Sequence, residues 1–128
     1  MVGRATLRHG SKHSTVSGLH TLASRTPGST MATREVIRVE PLSTWLERWK
    51  APTSAVTRHR DTVYVSGLPP FDPATGEVVV GASIERQTEL VMEQMKLCLE
   101  TAGSSMGQVL KCNVYCTSVE KFTAVNAV

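Results

Sequence analysis

The stretch that most constrains the fold is residues 83–103, where apolar side chains recur every three or four positions over about five turns. This is the period of an α-helix with one buried face. The predicted stripe consists of Ile84, Thr88, Val91, Met92, Met95, Cys98, Leu99 and Ala102. Ser83 stands at the N-cap position, and Gly103 stands where a helix commonly ends in a left-handed residue. A helix with one apolar face must cover something flat, so the sequence predicts a sheet beneath it.

The charged residues are distributed unevenly between the first thirty residues and the rest of the chain. Residues 1–30 contain four basic side chains, Arg4, Arg8, Lys12 and Arg25, and no acidic one. The remaining residues hold the other ten of the fourteen bases and all eleven acids, so they carry −1 although the whole chain carries +3. Nucleic-acid-binding domains usually present a basic face to the phosphates. The balance of the second part therefore argues against nucleic acid as a partner.

The length of 128 residues suffices for one domain with a modest core. No apolar run approaches the ~20 residues of a membrane-spanning helix, so no membrane partner is expected. The three cysteines form no evident disulfide framework, which favours a reducing compartment. Cys112 and Cys116 lie four residues apart on a predicted strand, too far apart to bind one zinc ion, so no metal site is predicted.

Residues 1–30 are rich in Ser, Thr, Gly and Arg and show little hydrophobic periodicity, which predicts a disordered leader. The leader has two interpretations. It could be an organelle transit peptide, because it is basic and free of acids, or an upstream extension, because Met31-Ala-Thr-Arg has the form of a natural start. We favour the extension and expect a cytoplasmic domain over residues 31–128. A transit peptide would instead indicate the mitochondrion.

The residues before the long helix predict short strands and a loop. A strand is expected over residues 35–39, followed by a helical turn with Trp45 and Trp49 as packing residues. Residues 55–58 and 62–66 predict a β-hairpin with His59 exposed in its turn. Residues 67–76 contain three prolines and two glycines, which predicts a loop that ends in a tight turn at residues 72–76. Gly76 can adopt positive φ there, and a brief strand is expected over residues 78–80.

The residues after the long helix predict one more strand and a second helix. Apolar and polar side chains alternate over residues 109–117, and the polar face is either a shared wall or cleft, or a solvent-exposed surface. Ser118 can cap a helix whose stripe begins with Phe122, Val125 and Val128. Because the pattern stops there, we expect the domain to lack its C-terminal strands. The residues alone therefore predict one sheet with two helices on one face, and a small-molecule cleft at an edge.

A resemblance to a known family adds to this prediction. Residues 63–78 resemble the characteristic loop of the RidA/YjgF family, with the order Ser-Gly, proline, Asp-Pro-x-Thr-Gly-Glu. Residues 85–88, 99–103, 109–117 and 121–127 agree with the following segments of that family in order. The resemblance implies a chorismate-mutase-like (YjgF-like) α+β fold that forms homotrimers with clefts between subunits. It also implies hydrolysis of reactive 2-imino and enamino acids to 2-oxo acids and ammonia, without a metal or organic cofactor.

The resemblance also implies site residues. Ser66 and Gly67 match the floor of the family's cleft, and Asn126 matches an amide on its second helix. Thr53 stands where the family often has a tyrosine, and we count it with the substrate-binding residues. The family's carboxylate-binding arginine lies in a C-terminal Pro-Ala-Arg segment that these 128 residues do not contain, so the catalytic residues stay unassigned.

Two alternatives to a deaminase follow. The first is a non-catalytic trimer that binds or regulates through a small ligand, which the missing arginine segment and Thr53 motivate. The second is RNA cleavage, an activity also attributed to this family, against which the charge of −1 argues.

Overall fold

The computed structural model describes residues 33–128. The predicted leader over residues 1–30 and its boundary lie outside the described residues, and both stay predictions. The described part combines a small antiparallel sheet with three α-helices, which confirms the predicted mixed α/β class. No helix within it is long and apolar enough to cross a membrane. In chain order the elements are β1 (Glu35–Ile37), α1 (Leu42–Arg48), β2 (Val56–His59), β3 (Thr62–Val65), α2 (Ile84–Thr101) and α3 (Phe122–Val125).

The sheet has three antiparallel strands in the order β1-β2-β3. Its register pairs Ile37 with Val56 and Val56 with Val65, and these three side chains pack in or against the hydrophobic core. β2 and β3 are joined by a two-residue turn in which Arg60 has a φ of 54°. The predicted hairpin is confirmed, but its first strand lies one residue later than expected and its second ends one residue earlier. His59 is exposed as predicted, yet it is the last residue of β2, paired with Thr62, and not a turn residue.

The helix α1 and the proline-rich loop close one side of the core. Leu42 and Leu46 are buried on α1, and Phe71 from the loop is fully buried. The Phe71 ring centroid lies 5.4 Å from that of Trp45 and 5.2 Å from that of Trp49. Both contacts are in the range of favourable aromatic pairs. The two tryptophans therefore serve packing, as predicted.

The tight turn at residues 72–76 is confirmed. One carboxylate oxygen of Asp72 accepts hydrogen bonds from the backbone N–H groups of Ala74 (2.8 Å) and Thr75 (3.0 Å). These bonds favour the charged form, so the pKa of Asp72 lies below its usual value. Gly76 has a φ of 70°, and a Cβ atom added to it would lie 2.4 Å from the Nε1 of Trp45. The glycine is required both by the backbone conformation and by the close indole ring.

The long helix α2 begins and ends as predicted. The Ser83 hydroxyl accepts a hydrogen bond from the backbone N–H of Arg86 at 3.2 Å. Gly103 has a φ of 77°, and the Ser104 N–H donates to the carbonyl of Leu99 at 2.8 Å. This last bond is the one that closes a Schellman motif and satisfies a terminal carbonyl.

The buried face of α2 differs in part from the predicted stripe. Its C-terminal half is as expected, but Met92 is exposed, whereas Leu90 and Gln94 are buried. The helix is turned toward the loop that carries Phe71, whose carbonyl accepts a hydrogen bond from Gln94 Nε2 at 3.2 Å. Spacing alone gives the period of the buried face, but the neighbouring loop sets its phase. The buried residues are Leu90, Gln94, Cys98, Leu99 and Ala102.

Two predictions after the hairpin were wrong, and a third is confirmed only in a shorter form. Residues 109–117 form no strand, and Leu110 and Tyr115 are 95% and 90% exposed. A strand needs a neighbour for its backbone N–H and C=O groups, and no described strand pairs with this segment. Residues 78–80 make only an isolated bridge between Phe71 and Val78. The predicted second helix is present but short: Ser118 caps a 3₁₀ turn, which continues into the four-residue α3.

Candidate ligand-binding cleft on the open face of the sheet

The hairpin has one face on the core and one open face. Because side chains alternate along a strand, Val36, Thr57 and Tyr64 lie side by side on the face opposite to Val56 and Val65. Val36 is 49% exposed and Tyr64 is 58% exposed. No described helix covers this face, so it is where a ligand or a second subunit can reach the sheet.

An open cleft of about 420 Å³ lies on this face. Its volume is within the range of about 300–1,000 Å³ typical of small-molecule sites. Its walls are mainly polar, and Pro52 and Val65 complete the lining. The polar residues are Arg34, Thr53, Ser54, Thr57, Tyr64 and Ser66.

A hydroxyl pair forms one end of the cleft. The Oγ1 of Thr53 and the Oγ of Ser66 lie 2.6 Å apart, so one hydroxyl donates to the other. The Ser66 N–H donates to the carbonyl of Ala55 at 2.9 Å, which extends the hairpin pairing one step beyond β3. This bond places the residue after β3 beside the loop before β2. When Thr53 is the donor within the pair, the Ser66 proton is available to a ligand.

Arg34 gives the cleft its charge. The guanidinium groups of Arg38, Arg48, Arg58 and Arg86 form ion pairs with glutamates. Arg34 has no carboxylate partner among residues 33–128, and the side chains that line the cleft include no acid. An unpaired guanidinium can bind a carboxylate through two charge-assisted hydrogen bonds. The cleft is therefore suited to a small anion.

The predicted site residues are only partly together. Thr53 and Ser66 are in direct contact within the cleft. Gly67 follows Ser66 but is exposed and does not line the cleft, and a Cβ added to it would meet nothing within 4 Å. Asn126 ends α3, is exposed, and also lies outside the lining. The assignments of Gly67 and Asn126 to a substrate site stay predictions.

Sequence reasoning missed the other half of the cleft. Thr57 and Tyr64 alternate with core residues of the hairpin, and Arg34 precedes β1 in the same phase as Val36. The alternation that predicted the hairpin also marks these side chains as one face. The alternation did not show that the polar wall of the cleft lies on this face of the hairpin and not on residues 109–117.

Comparisons with known proteins place the chain in a family. The profile of the family described as endoribonuclease L-PSP matches residues 48–128. A RutC family protein of Pyrococcus abyssi is 39% identical over 77 residues, which cover 60% of this chain and 60% of the relative. An Escherichia coli protein provisionally named reactive intermediate deaminase TdcF is 35% identical over 66 residues, 52% of this chain and 50% of the relative.

Solved structures agree with the sequence relatives. The Rid family protein YyfA of Yersinia pestis superimposes with a TM-score of 0.65 at 25% identity, over 74% of this chain and 71% of that one. Against the curated relatives, the chain spans about three-fifths or less of their length. Thr53 and Ser66 lie within the residues that the family profile matches, whereas Arg34 lies before them.

Proposed function

This chain belongs to the endoribonuclease L-PSP family, which includes the RutC and Rid proteins, and on that basis we propose that it hydrolyses reactive 2-imino and enamino acids to 2-oxo acids and ammonia. The relative named as a reactive intermediate deaminase supports this reaction class. The observation that carries the proposal is the Thr53–Ser66 hydroxyl pair, 2.6 Å apart, at the end of a polar cleft.

The chemistry requires water to add to the carbon of the C=N bond. The addition gives a carbinolamine, which loses ammonia as its C–N bond breaks and a C=O bond forms. The hydroxyl pair can hold the substrate by donating one hydrogen bond and accepting others, which fixes the imine carbon for attack. Such positioning contributes substantially to the rate because it replaces an encounter in solution by a fixed geometry.

The proposed assembly is a homotrimer that contacts ligand from more than one subunit. The open face exposes Val36 beside the cleft and Tyr64 within it, and a partner subunit that covers this face would also enclose the ligand. Light scattering coupled to size exclusion should then give three times the chain mass of 13.9 kDa. A cytoplasmic location is proposed with it, since Cys98, Cys112 and Cys116 are all free thiols.

The deaminase proposal is tested with an imine that a second enzyme generates in situ. An amino acid oxidase acting on 2-aminobutanoate releases 2-iminobutanoate, and semicarbazide traps the free imine. The chain should lower the rate of semicarbazone formation, and Ser66→Ala should weaken this effect roughly tenfold, as expected for loss of one hydrogen bond to the reacting substrate. Ser105→Ala is the control, because Ser105 is exposed and its side chain makes no cap hydrogen bond.

A second candidate is ligand binding without turnover. The side chains that line the cleft include neither a carboxylate nor an imidazole, so none of them is a ready general base for water. Binding of 2-oxobutanoate with no change in semicarbazone formation would favour this candidate over the deaminase. RNA is a weaker candidate as a substrate or as a ligand, because residues 31–128 carry ten basic side chains against eleven acidic ones.

A further inference from the structure

The cleft has its charge and its hydroxyl pair at opposite ends of the sheet. Continuing the β1–β2 register by one step places Arg34 opposite His59, which pairs with Thr62 at the start of β3. Ser66 follows the other end of β3. The four steps from Thr62 to Ser66 correspond to about 13 Å along the strand at ~3.3 Å per residue.

Across the sheet the two groups are also apart. β1 and β3 are the outer strands with β2 between them, and two strand spacings amount to about 10 Å. The side chain of Arg34 lines the same cleft as Ser66 and closes part of this distance. Thr57 and Tyr64 form the middle of the cleft between the two ends.

This separation bears on the length of the ligand. A simple 2-imino acid carries its carboxylate on the atom next to the imine carbon. A longer molecule spans the width of Thr57 and Tyr64, between the hydroxyl pair and the guanidinium, more readily than one that short. A ligand with a second, distal anionic group can contact both.

We propose that Arg34 is a specificity-determining residue that selects 2-imino acids with a distal carboxylate, whose reacting end lies at Thr53 and Ser66. This inference rests on the proposed function and narrows its substrate class. The phenol ring of Tyr64 would cover the carbon chain between the two ends, and the guanidinium would bind the distal carboxylate in a fork. Arg34 precedes the residues matched by the family profile, so the profile itself does not assign it a role.

The test compares two stable 2-oxo acids by titration calorimetry. 2-Oxoglutarate has the distal carboxylate and 2-oxobutanoate lacks it, and we expect 2-oxoglutarate to bind roughly tenfold more tightly. Arg34→Gln should remove this preference, so that the two acids bind with the same affinity. Arg60→Gln, which makes the same charge change in the exposed turn outside the cleft, should leave the preference intact.

The outcomes separate this inference from the deaminase proposal. Equal affinity for the two acids, no binding of either, or equal effects of Arg34→Gln and Arg60→Gln would overturn the role of Arg34. None of those results depends on turnover. The imines of glutamate and 2-aminobutanoate, compared in the semicarbazide assay, then report on catalysis alone. Preferential binding of 2-oxoglutarate with no acceleration of either hydrolysis would retain the role of Arg34 and refute the deaminase.

Discussion

Replacing Gly76 by alanine should be among the most damaging single-methyl changes in the described domain. The residue has a φ of 70°, and an L-residue with a side chain in this region costs about 1–2 kcal/mol. The added Cβ would also lie 2.4 Å from Nε1, 2.5 Å from Cδ1 and 2.6 Å from Cε2 of Trp45. The indole is a rigid ring that packs on Phe71 at 5.4 Å, so it cannot turn aside freely.

The two costs add to a large fraction of the stability. Overpacking of this kind typically costs about 1–3 kcal/mol, so the substitution should lower the free energy of unfolding by about 3 kcal/mol in total. The free energy of unfolding of a native domain is typically about 5–15 kcal/mol. Urea denaturation followed by circular dichroism and by the fluorescence of the two tryptophans measures the difference.

Two other glycines separate the contributions. Gly103 has a φ of 77° but open space around an added Cβ, so Gly103→Ala should show only the backbone cost of about 1–2 kcal/mol. Gly67 has neither constraint, and Gly67→Ala should change stability by less than about 1 kcal/mol. If Gly76→Ala costs no more than Gly103→Ala, the steric role of Trp45 is refuted.

Three further predictions concern a cap, a thiol and a carboxylate. Ser83→Ala should lower the unfolding free energy by about 1 kcal/mol through loss of the N-cap of α2, measured by urea denaturation; an unchanged midpoint would contradict the cap. Burial raises the pKa of the Cys98 thiol to about 11. At pH 8 a thiol reagent should therefore label exposed Cys112 in the native protein but label Cys98 only after unfolding. Mass spectrometry locates the label, and modification of Cys98 in the native state would refute this prediction. The lowered pKa of Asp72 contributes stability above the usual aspartate pKa of about 3.9, which is lost as pH falls through the lower native value. Asp72→Asn should therefore flatten the acid limb of the stability–pH curve, and an identical limb would count against the turn hydrogen bonds.

The sequence predicted well those elements that are determined by residues close together in the chain. The cap at Ser83, the glycine at Gly103 and the existence of the hairpin each depend on residues within a few positions, and the structure has all three. The buried face of α2 could not be predicted from nearby residues alone, because the loop around Phe71 determines that Leu90 is buried and Met92 is exposed. The family was also within reach of the sequence, since a loop of fixed residue order identifies it without any packing information.

The same distinction explains which site residues are together. Alternation along residues 109–117 depends only on residue order, whereas pairing depends on a second strand, and none of the described strands provides it. Thr53 and Ser66 meet because they flank the two strands of one hairpin, whose pairing is settled within about a dozen residues. Asn126 follows the unpaired segment, so its distance from the cleft is set by where that segment docks. A contribution of Asn126 to the cleft therefore requires a contact that the described residues do not make on their own, and the open face of the sheet is where a second subunit would make it.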